Sequence, residues 1–210
     1  MLIKNLIQEY LLILKNKIVG LYSKVPSKYS QGTKGDVVII IGLNDTWNFL
    51  KTVANHLNSQ GYRIHFPKFN TRSTIKLCTR DVLQYIDELK LINVILITHS
   101  KGGLIARSII KDQPNNVNCA IEISSPNKGT VFGYLNIISL HELKPNCKEL
   151  RDLEYIDTKK IINIYPRFDN HVIPNTSLYL EGAKNIKLDI VGHTRILESK
   201  ELINELDKIL

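Results

Sequence analysis

A three-layer α/β fold is what the sequence predicts: about six mostly parallel strands with helices on both faces. Three observations predict it. Short β-branched runs such as Val37–Ile41 alternate with segments of helical period, the pattern of a parallel sheet covered on both sides. The chain is 210 residues long, the size of one domain with a full core. The residues able to do chemistry fall just after strands, where ligands gather in such sheets.

The elements follow in order. Val37–Ile41 reads as a buried strand from its continuous apolar, β-branched content. Residues 46–60 read as a helix with Leu50, Val53, Ala54 and Leu57 inward, and Gly61 stands at a helix-stop position. Tyr62–Phe66 is a second strand, and a helix over about 73–89 places Ile75, Cys78, Val82, Ile86 and Leu89 on one face. Asn93–Thr98 is a third strand, with a helix over about 101–112 behind it. Val117–Ser124, Lys160–Tyr165 and Ile186–Val191 are further strands, and 199–210 closes as a helix. The domain reading is an amino-terminal basic amphipathic helix and connector over 1–34, then a single domain over 35–210 with a cap or crossover region at about 131–158.

Net charge is +8, unevenly spread. Residues 1–34 hold Lys4, Lys15, Lys17, Lys24, Lys28 and Lys34 against Glu9 alone, so the body is nearly balanced. That argues against nucleic acid as a partner, which asks for a basic face on the folded body. In the arm, Ile3, Ile7, Tyr10, Leu14, Ile18 and Leu21 recur at helical steps. Two readings stay open: a helix packed on the body, or one that meets an anionic membrane through residues 1–24. Glu9 interrupts the apolar stretch and no small-residue cleavage site follows, which disfavours a secretory signal. Three cysteines without C-x-x-C spacing fit a reducing compartment, and the localisation expected is cytoplasmic, with peripheral membrane contact under the second reading.

Thr98-His99-Ser100-Lys101-Gly102-Gly103 follows a strand and opens a helix. A serine hydroxyl becomes nucleophilic when a base takes its proton and a sharp turn lifts it clear of the sheet. Asp169 follows the strand that ends near Tyr165, and His193 follows the last strand, giving the order Ser, Asp, His. The backbone N–H groups of Leu43, after the first strand, and Lys101, at the helix start, are candidates for holding an oxyanion. Gly42 allows close approach there, and Asp45 or Thr46 reads as the cap of the next helix. His99 reads as packing beneath the turn. His171 lies two residues from Asp169, but no third ligand at a metal spacing accompanies it.

These residues resemble the α/β-hydrolase superfamily, and within it the small bacterial serine lipases and esterases. The resemblance covers residues from about 36 to 210 and adds a small cap to the predicted fold. His99–Gly103 is similar to the nucleophile elbow, Ser124–Thr130 to the segment G-T-P-H-R-G-S, and Leu143–Leu150 to L-R-P-G-S-x-x-L. Asp169–Pro174 resembles the acid loop, and Gly192-His193 with Ile196-Leu197 the histidine loop. Thr98 stands at the first elbow glycine, Ile41 at a frequent histidine, and Asn127 at another histidine; the arm occupies the place of an initial hairpin. The resemblance implies a carboxylic ester hydrolase, esterase- or lipase-like, working through an acyl-enzyme on Ser100, Asp169 and His193. Its substrate would be an ester or lipid-like small molecule, with no metal and no organic cofactor. Acyl transfer, thioester hydrolysis and a catalytically silent scaffold are the alternatives. Ile137, Ile138, Leu140, Leu143 and Leu150 either line an acyl groove or pack the crossover.

Overall fold

The computed structural model describes residues 2–135, 137–154 and 156–210, without the side chain of Ile138. Six strands form one sheet: β1 (Gly35–Ile40), β2 (Tyr62–His65), β3 (Val94–His99), β4 (Val117–Ile123), β5 (Ile161–Phe168) and β6 (Lys184–Val191). Their order is β2-β1-β3-β4-β5-β6, and every pairing is parallel. The helices are α1 (Leu2–Tyr22), α2 (Lys51–Ser59), α3 (Ile75–Glu88), α4 (Lys101–Asp112), α5 (Lys148–Asp152) and α6 (Lys200–Ile209). The helix expected over 46–60 begins as a 3-10 turn, Trp47–Leu50, before α2.

Successive side chains of a strand point to opposite faces, and β1 shows the consequence. Val37 and Ile39 join Val53, Leu57, Leu202 and Leu206 beneath α2 and α6. Val38 and Ile40 join Val82, Ile86, Leu104 and Ile109 beneath α3 and α4. Both faces are covered, so the central strands are apolar without alternation. Every one of the six residues of β3 is buried.

The order of strand addition reverses between β1 and β3: the chain leaves β1 toward β2, then crosses back to β3 and proceeds to β6. Loops leaving two such neighbours diverge and open a crevice at their carboxyl ends. Here those loops begin at Ile41 and Ser100.

The cap is smaller than a pair of helices. It consists of the 3-10 turns Val131–Tyr134 and Ile138–Leu143, followed by the five-residue α5. Leu143 and Leu150 pack into the core on the α3/α4 side, while Ile137 is exposed and the side chain of Ile138 lies outside the described residues.

Helix α1 packs on the body, but not through its apolar stripe. Glu9 and Asn16 are its two buried residues. Ile3, Ile7, Tyr10, Leu14, Ile18 and Leu21 are all at least half exposed. Asn16 accepts hydrogen bonds from Thr46 Oγ1 and Asn48 Nδ2, Trp47 Nε1 donates to Ser23 O, and Gly20 sits so close to Thr46 that a Cβ would overlap it. Among the described residues no helix is long and apolar enough to cross a membrane.

Candidate active site

Ser100 links β3 to α4 with φ 54° and ψ −123°, a conformation that costs a non-glycine residue about 1–3 kcal/mol. Two bonds hold it there: Ser100 N donates to Ile123 O at 2.9 Å, and Gly103 N donates to Ser100 O at 3.0 Å. The tight turn presses α4 onto neighbouring strands, and a Cβ on Gly102 would overlap Ile40 O. Thr98, at the first elbow position, lies wholly buried in the strand register opposite Ile40 and Glu122. Ser124, after β4, shares the same positive φ, but it is fully buried. Ser100 instead faces a cavity of about 410 Å³ together with Leu43, His171 and His193.

Asp169 and His193 come together from the ends of β5 and β6. His193 Nδ1 lies 2.7 Å from Asp169 Oδ2. Asp169 is fully buried, and its Oδ1 accepts the N–H groups of His171 at 2.7 Å and Val172 at 2.9 Å. Burial pushes the Asp169 pKa up; the His193 charge, its hydrogen bond and the two backbone donors outweigh burial and hold the carboxyl below its usual range. For His193 burial pulls downward, and Asp169 above all, then Asp45 and Glu9, raise it above an ordinary histidine. With Nδ1 occupied, Nε2 carries no hydrogen bond to the described residues. That is the nitrogen a general base would use.

Two more histidines flank His193, with ring centroids at 4.6 Å for His99 and 4.7 Å for His171. Burial, then the neighbouring His193 charge, pulls the pKa of His171 down to about 4. His171 is therefore neutral near pH 7 and adds no competing charge.

The loop after β1 approaches the elbow closely. A Cβ on Gly42 would collide with Asp45 Oδ2 and press on Ser100 Cβ and His99 O. Leu43 lines the cavity, and neither its N–H nor that of Lys101 meets a backbone acceptor among the described residues. Of the two caps the sequence offers, Thr46 stands at the N-cap of the turn Trp47–Leu50 without a side-chain cap hydrogen bond, and Asp45 is engaged elsewhere. Its Oδ2 accepts Gly42 N at 3.0 Å and lies 2.6 Å from His99 Nδ1. His99 Nε2 is 3.2 Å from the carbonyl of His193. His99, beneath the elbow as expected, thus bridges the Gly42 loop and the His193 loop.

Three further contributions were not read from the sequence. Glu9 of α1 is fully buried and accepts Thr194 N at 2.7 Å and Arg195 N at 2.9 Å. Tyr10, Ile13 and Lys17, also of α1, line the cavity together with Phe132, Leu140 and Leu143 of the cap. The Lys101 side chain is buried, with Nζ 2.5 Å from Ser73 O and 3.7 Å from Glu142 Oε2, so it fastens the elbow to the cap. Asn127 serves a structural network: it accepts from Arg107 and donates to Leu178 O and Asn163.

No family model and no curated protein matches the sequence. Solved structures do resemble it. A metagenomic α/β-hydrolase from the sediments of the Mar Chica lagoon, Morocco, aligns with TM-score 0.65 and 22% identity, over 85% of this chain and 91% of that one. The mature form of a Bacillus licheniformis lipase aligns with TM-score 0.69 and 15% identity, over 84% and 91%. A structure reported for carboxylesterases of Nitrososphaera gargenis aligns with TM-score 0.66 and 14% identity, over 84% and 90%. At such identities the likeness concerns architecture, and it agrees with a single parallel sheet flanked by helices. The chain has the α/β-hydrolase fold.

Proposed function

We propose that the protein is a serine hydrolase that cleaves carboxylic esters with an apolar acyl part. The observation that carries this reading is the pairing of His193 with the buried Asp169 at 2.7 Å, beside a cavity that Ser100 enters from a strained turn. In this reading His193 Nε2 takes the Ser100 proton as Oγ attacks the ester carbonyl. The N–H groups of Leu43 and Lys101 hold the oxyanion, and Asp169 stabilises the imidazolium. The imidazolium then protonates the departing alkoxide, leaving an acyl-Ser100. Water, deprotonated by His193, attacks the acyl carbon, and the imidazolium returns that proton to Ser100 Oγ as the acid leaves. Phe132, Leu135, Leu140 and Leu143 give the cavity an apolar wall suited to a hydrocarbon chain.

Fluorophosphonate labelling tests the proposal. The intact protein is expected to label, and Ser100→Ala to lose all labelling and ester hydrolysis. A wild-type protein that stays unlabelled, or a Ser100→Ala variant that labels equally, overturns it in favour of a silent scaffold. A chain-length series of nitrophenyl esters tests the apolar wall, with octanoyl preferred to acetyl.

A further inference from the structure

Helix α1 is amphipathic in the opposite sense to a helix that merely packs. Its inward side carries the buried Glu9 and Asn16, bonded to the His193 loop and to Thr46 and Asn48. Its outward side carries Ile3, Ile7, Leu11, Leu14, Ile18 and Leu21, each 50 to 76% exposed. At 100° per residue these six fall on one stripe. Lys4 and Lys15 flank one edge of it and Lys17 the other, while the only acid of the helix points into the body. The charges that α1 itself places beside this apolar face are all cationic, while on the Lys15 edge the body adds Arg167, Asp189, Glu198 and Glu201.

The stripe runs to the mouth of the catalytic cavity. Tyr10 belongs to both, half exposed beside Ile7 and Leu14 and also lining the cavity with Ile13 and Lys17. The cap exposes Tyr134, Leu135 and Ile137, and Leu135 lines the same cavity as Tyr10. A monomer in water gains nothing from such a surface, and exposed patches of this kind mark places where a partner removes water.

We propose that this face docks on an anionic lipid bilayer, with α1 lying in the interface plane, and that the ester hydrolysed is drawn from that bilayer into the cavity between α1 and the cap. The choice of occupant rests on charge: lysines bordering an apolar stripe keep their ammonium groups among headgroup phosphates while their stems follow the acyl boundary. Glu9 fixes the orientation, because α1 cannot roll its apolar face inward without withdrawing this carboxylate from the backbone N–H groups of Thr194 and Arg195. The naming of the cargo rests on the ester chemistry proposed above; the docking itself does not.

The test uses the full chain with phosphatidylcholine vesicles, with and without phosphatidylglycerol, at low and high salt. Cosedimentation is expected only with phosphatidylglycerol present and is expected to fall as salt rises. The double variant Ile7→Glu, Leu14→Glu changes two outward side chains beyond the cavity. It is expected to bind vesicles about tenfold or more weakly, while keeping fluorophosphonate labelling and hydrolysis of a soluble short-chain ester. Lys4→Gln and Lys15→Gln are each expected to weaken binding by about fivefold. No binding by the intact protein at low salt, or equal binding by the double variant, overturns the docking proposal. So does a concentration-dependent dimer that the double variant abolishes without any vesicle binding, which assigns the face to a second copy. A protein that binds vesicles but never labels removes the ester reading and leaves the docking face standing.

Discussion

Glu9 Oε1 accepts the backbone N–H of Thr194 at 2.7 Å across 185 residues of chain, and so ties helix α1 to the loop that holds His193. Its Oε2 takes the next N–H, that of Arg195. Both donors belong to the loop just beyond His193, before and at the start of the 3-10 turn Arg195–Glu198. Such amides have no partner of their own in a short turn and draw a carboxylate.

Glu9→Ala is therefore expected to destabilise the fold by about 2–4 kcal/mol, since two charge-assisted bonds go and two buried donors are left unpaired. Equilibrium urea unfolding measures this. Ester turnover is expected to fall as well, because the loop bearing His193 loses its external hold. Unchanged unfolding and turnover would mean that α1 is only laid against the body.

The chain's own pattern reveals some of this and hides the rest. β-branched runs separated by helical periods specify the parallel sheet, and residues directly after those runs reach one rim because parallel strands all end there. That is why Asp169 and His193 could be paired on paper. Periodicity also finds the stripe Ile3–Leu21, but an amphipathic period says only that two faces differ, not which one meets the body. Here a carboxylate and an amide make the inward contact, and their partners lie at Thr46, Asn48 and 194–195, which no local pattern points to. Asp45 misleads in the same way. An aspartate before a helix reads as a cap, whereas its carboxylate is taken by His99, 54 residues on.

The pH profile should separate activity from stability. His193 is raised above its unfolded value and must be neutral to act as base. Ester turnover is expected to climb on the alkaline side of an ordinary histidine. The stabilising Asp169–imidazolium pair is complete below the unfolded histidine pKa and is lost as pH rises through the folded one. Asp169, held low, contributes stability above the unfolded aspartate pKa that disappears as pH falls through its folded value. Asp169→Asn is expected to reduce kcat by about 10³–10⁴-fold and to shift the ascending limb to lower pH. A limb that stays in place in this variant would detach Asp169 from the titrating base.

Gly42→Ala addresses the oxyanion side. The added methyl collides with Asp45 Oδ2 and pushes on Ser100 Cβ, so the loop carrying the Leu43 N–H must retreat. Loss of one such donor costs about 10²–10³-fold in kcat. The expected result is a folded protein with KM near wild type, kcat reduced to that extent, and slowed fluorophosphonate labelling. A drop confined to KM would mean that Leu43 contacts the acyl chain and not the oxyanion.

Ser100 offers a test of strain that needs no substrate. Its φ of 54° with ψ −123° is imposed by bonds to Ile123 O and from Gly103 N, neither of which involves the side chain. Replacing the hydroxymethyl by a methyl keeps the Cβ and hence the strain, whereas glycine removes both. Both variants lack the hydroxyl, so any difference between them is conformational. Glycine also adds freedom to the unfolded chain, which offsets part of the relief. The net expectation is that Ser100→Gly is more stable than Ser100→Ala by about 1 kcal/mol in urea unfolding. Equal stability would show that the turn costs a Cβ nothing. Ser100 would then owe its position to packing alone, and the turn would store no strain against the surrounding sheet.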